Sequence, residues 1–407
     1  MASLSPFQRS IYKFYSLFMH IYFTCFVIAL YVGIVPIWQT DSVEVLQAIS
    51  VIILCTLILV KAAICQRKKV TEMISEIEDH EKEIDTWNDD IIDIYTKNAR
   101  YNTFLSLFLF TASTLCGITL ITTKFLGKID MMTTRVVKEV SRWTNRNKEF
   151  KLLEYLYFAV YEKQLKKAKL GLLNESLVEK PLPYVIWRPV DEKTNYWEAF
   201  CLDTLSASIG CTFNSITQLI FLSLLTYISG QLQILQFNFR NFGRSCANSN
   251  GRNEKLKLLR KLITKHLDII SFVANLDENM KYLLLLEFTI NSFQITGIVY
   301  ELLMSEPNLM LIFQLTYLSC MVLQIFMLAW HANEVTIQST QVAHAVFDCE
   351  WYDLPKTIKE MLVFIILRSQ KPLTISVGPF FILTNATAVT SMKAAYSYLA
   401  VLTNSRG

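Results

Sequence analysis

The sequence predicts an all-α membrane protein with seven transmembrane helices, a cytosolic amino terminus, an extracellular carboxyl terminus and a cytosolic helical anchor region. Three observations carry that reading. Hydrophobic residues make up 52% of the 407 and charged residues only 18%, where soluble domains carry roughly 25% charge. The apolar residues gather into runs of the length a bilayer demands, because about 20 helical residues cross a hydrocarbon core of about 30 Å. Lysine and arginine in the short loops fall on one side of those runs only. The same composition excludes a disordered chain, which cannot carry so much apolar surface. A net charge of +4 is too small to argue for nucleic acid.

The runs lie near 15–36, 43–65, 102–126, 198–226, 282–304, 309–332 and 376–403. The first is longer than a signal-peptide core and is followed by no small-x-small cleavage site, so it reads as a retained span. The fourth begins polar, with Asp203, Ser206 and Ser208. An unpaired acid in lipid is expensive, so Asp203 is expected to face the bundle or the interface. Orientation follows from the basic residues. Arg9 and Lys13 precede span one, six positives follow span two, nine follow span four (Arg240 to Lys281), and Lys356, Lys359, Arg368 and Lys371 follow span six. The opposite short loops, 37–42 and 305–308, contain none. Positive residues mark the cytosolic side. The loop near 127–195 is basic as well, but it exceeds the roughly 60 residues over which that rule holds. The resulting orientation is the reverse of a G-protein-coupled receptor. It makes Asn174, in Asn174-Glu175-Ser176, a luminal glycosylation acceptor, while the sequon at Asn385 lies inside a span and is expected to stay bare.

Between spans the chain keeps a helical period. From Arg67 to Arg100, Val70, Met73, Ile74, Ile77, Ile84, Trp87, Ile91 and Ile94 recur every three to four residues, and so do Leu256, Leu259, Leu262, Ile263, Leu267, Ile270 and Val273 in 253–281. Spans two and three are therefore expected to extend into the cytosol, and a cytosolic helix to run into span five, all packing as a bundle. The acids from Glu72 to Asp93 read as a solvated face. Lys180-Pro-Leu-Pro-Tyr-Val-Ile-Trp187-Arg-Pro189 reads as ordered extended backbone, since each proline disfavours helix in the residue before it.

Motifs for catalysis and cofactors are absent. There is no phosphate loop, no Gly-x-Gly-x-x-Gly and no Gly-x-Ser-x-Gly, so neither an enzyme nor a cofactor is expected. The nine cysteines show no Cys-x-x-Cys spacing and mostly lie in apolar runs, where a thiol behaves as a small hydrophobe. His331, Glu334 and His344 stand near one another past span six and read as polar residues, with no metal site expected. No repeat relates the two halves, which weakens a transporter built from paired units.

The last run carries the most information. Read at 100° per residue, the positions within about 40° of Val401 are Thr387, Thr390, Ala394, Ser397 and Ser405. All are small, and all but Ala394 carry a hydroxyl. Two readings fit such a stripe: close helix packing through small residues, or a water-lined wall in which Val401 is an apolar constriction. Periodicity alone does not separate them. One helix cannot enclose a pore, so the second reading requires an oligomer. Lys393, about 80° away from the stripe, is expected to be paired or to snorkel.

At this point the residues resemble a known family. Trp330-His-Ala-Asn-Glu334, Ser339, Trp351-Tyr352-Asp-Leu-Pro355, Leu367-Arg368-Ser-Gln-Lys371-Pro372-Leu373 and Tyr396-Ser-Tyr398-Leu-Ala-Val401-Leu402 are similar to insect odorant receptors, as is Leu182-Pro183…Trp187…Pro189-Val190-Asp191 in the outer loop. The resemblance implies an odorant-gated, non-selective cation channel, a tetramer in which each subunit contributes its seventh helix to a central pore. Of the two readings of the stripe it favours the pore wall. By motif position Val401 would be a gate residue, with Asn404 and Ser405 at the outer mouth. The chain would divide into 1–353, holding spans one to six, and 354–407, holding a cytosolic anchor helix and the pore helix. Its moderate loop between spans four and five resembles a ligand-tuned subunit, which implies an odorant co-receptor as partner in a heterotetramer at the plasma membrane of a sensory neuron dendrite. The related gustatory receptors rank second, because their terminal Gln-Phe is missing here. A non-conducting membrane scaffold would show the same spans.

The resemblance places the odorant pocket in the outer half of spans two, three, four and six, without naming residues. A small volatile ligand calls for an apolar site with few polar groups. Candidates on that basis are Phe313 and Tyr317 on span six, Ser113, Gly117 and Ile121 on span three, Ile49 and Ile53 on span two, and Thr204 and Ser208 on span four. Tyr317 leads, because a buried phenol needs a partner and can hold an ester, alcohol or carbonyl oxygen.

Overall fold

The computed structural model describes residues 6–38, 42–82, 88–146, 184, 186–188, 195–247, 251–304 and 310–404. In chain order these form α1 (Pro6–Gly33), a 3-10 turn (Val35–Ile37), α2 (Ser42–Cys65), α3 (Lys68–Lys82), α4 (Asp89–Arg146), α5 (Tyr196–Arg240), α6 (Phe242–Ala247), α7 (Arg252–Met304), α8 (Met310–Phe347), α9 (Lys356–Ser369), the strands β1 (Ser376–Val377) and β2 (Phe381–Ile382), and α10 (Asn385–Asn404). The expected all-α membrane architecture is what these elements build. Among the described residues six helices are long and apolar enough to cross a membrane, and they coincide with the first six apolar runs. The helix at the seventh run, α10, carries Thr, Ser, Asn and Lys, which dilute its apolar character.

Three boundaries differ from the sequence reading. Span two does not continue into the cytosol as one helix. The chain turns at Gln66 and Arg67, where the Arg67 amide returns to the Ile64 carbonyl at 3.0 Å, and α3 starts afresh with Val70 and Met73 buried. Span three does not end near 126, because helical backbone continues to Arg146, beyond the point where hydropathy carries any signal. The last run is not one helix either. Gly378-Pro379 interrupts it: proline disfavours helix in the residue before it, and Gly378 takes φ +60, a conformation that costs other L-residues about 1–2 kcal/mol. The result is an antiparallel hairpin with Ser376 opposite Ile382 and Val377 opposite Phe381.

The chain divides into two compact units. The first holds 1–49, 115–209 and 304–317. In it the segment at 184–188 is tied down by a buried ion pair. Arg188 donates to Asp203 at 2.6 Å and to the Tyr184 carbonyl at 3.1 Å, and the side chains of the charged pair are only 8% and 3% exposed. The Tyr184 amide reaches the same carboxylate oxygen at 3.4 Å, and the Trp187 amide donates to the Ala29 carbonyl of α1 at 3.1 Å. Asp203 thus faces the protein, as its charge demands. The absence of a side chain at Gly33 permits this approach, since a Cβ there would sit 2.6 Å from the Trp187 nitrogen.

The second unit holds 50–114, 210–303 and 318–407. Leu222, Leu225, Leu232, Phe239, Phe242, Val335 and Ile358 are among its fully buried side chains. Helix α9 buries Ile358, Leu362, Ile365 and Ser369, spaced so as to share one face. The segment after it is anchored on α8, where the Ser339 hydroxyl accepts from the Leu373 amide at 2.9 Å. Both residues belong to the motifs singled out in the sequence.

Breaking the Arg188–Asp203 pair leaves a buried charge without its partner, which costs about 3–5 kcal/mol. Asp203→Asn is therefore expected to lower the thermal unfolding midpoint of the detergent-solubilised protein by several degrees. An unchanged midpoint would show that the pair does not anchor the outer segment.

Candidate functional site

The terminal helix takes its position from α7. The Ser376 amide donates to the Asp277 carboxylate at 2.6 Å and the Gly378 amide to the Lys281 carbonyl at 2.8 Å, so one turn of α7 seats the hairpin. The bare α-carbon of Gly378 lies against Leu285, where an added Cβ would come within 2.8 Å of Cδ2. Further along the same helix the hydroxyls of Ser292 and Ser391 share a hydrogen bond of 2.7 Å, and Thr296 donates to the Ala395 carbonyl at 3.2 Å. Asp277, Lys281, Leu285, Ser292 and Thr296 are spaced by four and seven residues, which keeps them on one side of α7.

This contact uses a different face of α10 from the hydroxyl stripe. The packing face of α10 is Ala388, Ser391 and Ala395, exposed by 0%, 9% and 3%. It lies about 110° around the helix from the stripe. Of the stripe itself, Thr390 and Ser397 are exposed, and Thr387 and Ala394 are half-buried. Small residues do pack α10, but the stripe is a different set and this chain leaves it largely uncovered. Its hydroxyls bond their own helix or the turn before it: Thr390 to the Ala386 carbonyl at 2.9 Å, Ser397 to that of Lys393 at 3.0 Å, and Thr387 to that of Ile382 at 2.5 Å. Such return bonds satisfy each donor while leaving oxygen lone pairs free to accept from water. Val401 and Asn404 belong to α10, though their side chains, like all of Ser405, lie outside the described residues. Lys393 is exposed and makes no ion pair among the described residues.

The pocket candidates occupy both units. Phe313 and Tyr317 stack with ring centroids 5.7 Å apart and planes 6° from parallel. Ser113, Gly117 and Ile121 on α4 are half-buried, as are Ile49 and Ile53 on α2. Thr204 is half-buried too, and its hydroxyl has no partner among the described residues. Ser208 is exposed and donates to the Thr204 carbonyl at 2.9 Å. Asn174 lies outside the described residues.

The sequence reading missed a charged cluster inside the bundle. Lys61 of α2 donates to Glu287 of α7 at 2.6 Å, to Gln218 at 3.3 Å and to Asn214 at 3.5 Å, the last two on adjacent turns of α5. The side chains of Lys61 and Glu287 are 4% and 5% exposed. The signal was present as one basic and one acidic residue within two apolar runs. Among the described residues no three potential metal ligands gather. His331 instead bonds the Met327 carbonyl at 2.7 Å and stacks on Tyr101. Beyond α8, burial pushes the Cys349 thiol up to about 11, which keeps it protonated at neutral pH and slow to react.

A family model described as 7tm Odorant receptor matches residues 150–396. Among curated proteins the chain is similar to Odorant receptor 10 of Aedes albopictus, 29% identical over 224 residues, which are 54% of this chain and 60% of that one. It is 28% identical to Odorant receptor Or2 of Anopheles gambiae over 163 residues, covering 40% and 43% of the two chains. Odorant receptor 94a of Drosophila melanogaster is 24% identical over 273 residues, covering 66% and 69%. The first two matches span less than two thirds of those relatives' own length. Among solved structures, the insect olfactory receptor OR5 from Machilis hrabei in complex with eugenol matches with a TM-score of 0.71 over 97% of this chain and 90% of that one, at 14% identity. A second structure of OR5 from Machilis hrabei gives 0.69. At that identity the likeness concerns the fold.

The two faces of α10 make a direct test. In a background where the exposed Cys25 and Cys201 are serine, Thr390→Cys and Ser397→Cys are expected to react with a small hydrophilic thiol reagent, and Ser391→Cys and Ala395→Cys to resist it. Equal labelling of both faces would show that the stripe is not a distinct, water-reachable surface.

Proposed function

The chain belongs to the insect odorant receptor family, and from that premise we propose that it is a ligand-tuned subunit of an odorant-gated, non-selective cation channel in the plasma membrane. The observation that supports a channel is the α10 stripe: a hydroxyl-bearing face with its donors satisfied, whose described members are exposed or half-buried in the chain that carries it. Four such faces around an axis form a polar conduit, and Val401, one turn beyond Ser397, narrows it with an apolar ring that closes by shedding water. Asn404 and Ser405 line the outer mouth. Residues 354–407 serve as anchor and pore helix, and 1–353 carry the ligand site and the remaining spans.

The odorant sits in the outer half of the bundle. OR5 is in complex with eugenol, a compact volatile with oxygen at one end, and the candidates here suit the same class. Within the first unit, the Phe313–Tyr317 stack gives an aromatic wall, Ile49, Gly117 and Ile121 an aliphatic one, and Thr204, Ser208 and the Tyr317 phenol a few hydrogen-bonding groups. A ligand opens the pore only through preferential binding to the open state, and each tenfold preference contributes about 1.4 kcal/mol. The resting assembly is a heterotetramer with the odorant co-receptor, in the dendrite of a sensory neuron.

Whole-cell recording against a panel of volatiles tests this reading. Cation current evoked only when the co-receptor is co-expressed is the expected result. Current from this chain alone would make it a self-sufficient pore, and silence in both with surface expression verified would refute channel function for the volatiles tried. Val401→Ser is expected to raise resting current several-fold in the assembled channel; an unchanged leak would remove Val401 from the gate. Tyr317→Phe is expected to weaken responses to oxygenated odorants about tenfold, the worth of one lost hydrogen bond of about 1.4 kcal/mol, and to spare hydrocarbons.

A further inference from the structure

We propose that Lys61, Gln218 and Glu287 hold one internal water molecule, which makes the meeting point of α2, α5 and α7 a hydrated charge site. The inference rests on the hydrogen-bond inventory of these residues and is independent of the channel reading. A lysine ammonium has three hydrogens to donate, and Lys61 finds three acceptors: Glu287 at 2.6 Å, Gln218 Oε1 at 3.3 Å and Asn214 Oδ1 at 3.5 Å. The ammonium is therefore fully committed. The same contact fixes the Gln218 amide, because exchanging its two ends would point an N–H group at a positive charge. Its nitrogen must donate elsewhere, and Gln218 Nε2 has no acceptor among the described residues although the residue is only 5% exposed. A buried N–H left unmade is costly, and such groups bond protein or ordered water in nearly every structure.

Beside that nitrogen lies a cavity of about 20 Å³. Lys61, Gln218 and Glu287 contribute its polar wall, and Phe221 and Leu284 part of its apolar one. About 10–15 Å³ of this kind of space is needed for one water, so the cavity fits a single molecule and excludes any larger solute. Such a water accepts from Gln218 Nε2 and donates to the Glu287 carboxylate. The carboxylate is thereby solvated from inside the bundle on top of its bond to Lys61, which eases the desolvation that makes buried ion pairs expensive.

An electron cryomicroscopy map of the full-length chain in its native assembly, at a resolution that shows other internal waters, tests this. The expected result is a density peak about 3 Å from Gln218 Nε2 and within reach of the Glu287 carboxylate. A cavity without density in such a map, or a Gln218 amide donating to a protein group, would overturn the proposal. Gln218→Met, which keeps the length but removes the donor, is expected to abolish the peak while Lys61 and Glu287 stay bonded. A peak that persists in the variant would equally overturn it. Should the variant fail to assemble, the wild-type map decides alone.

Discussion

A charge inside a hydrophobic bundle is tolerated only where the protein supplies its counter-charge, and the Lys61–Glu287 bond meets that requirement where three helices converge. The consequence is geometric. Lys61 draws acceptors from two turns of α5 and one of α7, so the rotation of α7 about its own axis is set by chemistry that only one orientation satisfies. Ser292 and Thr296 lie about 140° and 180° around α7 from Glu287. With the charged side turned inward, the opposite side faces α10. The placement of the terminal helix is thus a second-hand result of an ion pair that it never touches.

The hairpin follows from a related rule. Backbone that leaves the helix must find partners for its amides wherever water is scarce. Here Ser376 uses a side chain of α7, Gly378 a main-chain carbonyl of α7, and Leu383 the carbonyl of Ile375 across the hairpin. The break in the last apolar run is made possible by Gly378, the one described residue with a positive φ.

Hydropathy and charge were enough to find the six long spans, because burying apolar length in lipid leaves its mark residue by residue. They failed at helix ends such as Arg146, since helix beyond the bilayer obeys local propensity and carries no hydropathy signal. The pairings were harder still. Asp203 was recognisable as a residue in need of a partner, yet Arg188 sits in an irregular segment with no period to reveal it. Lys61 and Glu287 are 226 residues apart, and nothing in either run names the other. The stripe on α10 was legible as a face. Its meaning was ambiguous, because the residues that pack the helix, Ala388, Ser391 and Ala395, are of the same small types as those that do not.

The length of α10 has a mechanical consequence. Twenty residues rising 1.5 Å each make about 30 Å, which equals the apolar thickness of a bilayer. A rod cut to that measure has no slack. In the transmembrane placement proposed for it, sliding it along its axis would drag an asparagine end, Asn385 or Asn404, into hydrocarbon, whereas turning or leaning it costs far less. Pinned at one end by a tight turn and near its middle by the Ser292–Ser391 and Thr296–Ala395 hydrogen bonds, it resembles an axle more than a piston, and any motion transmitted to it arrives as a change of facing.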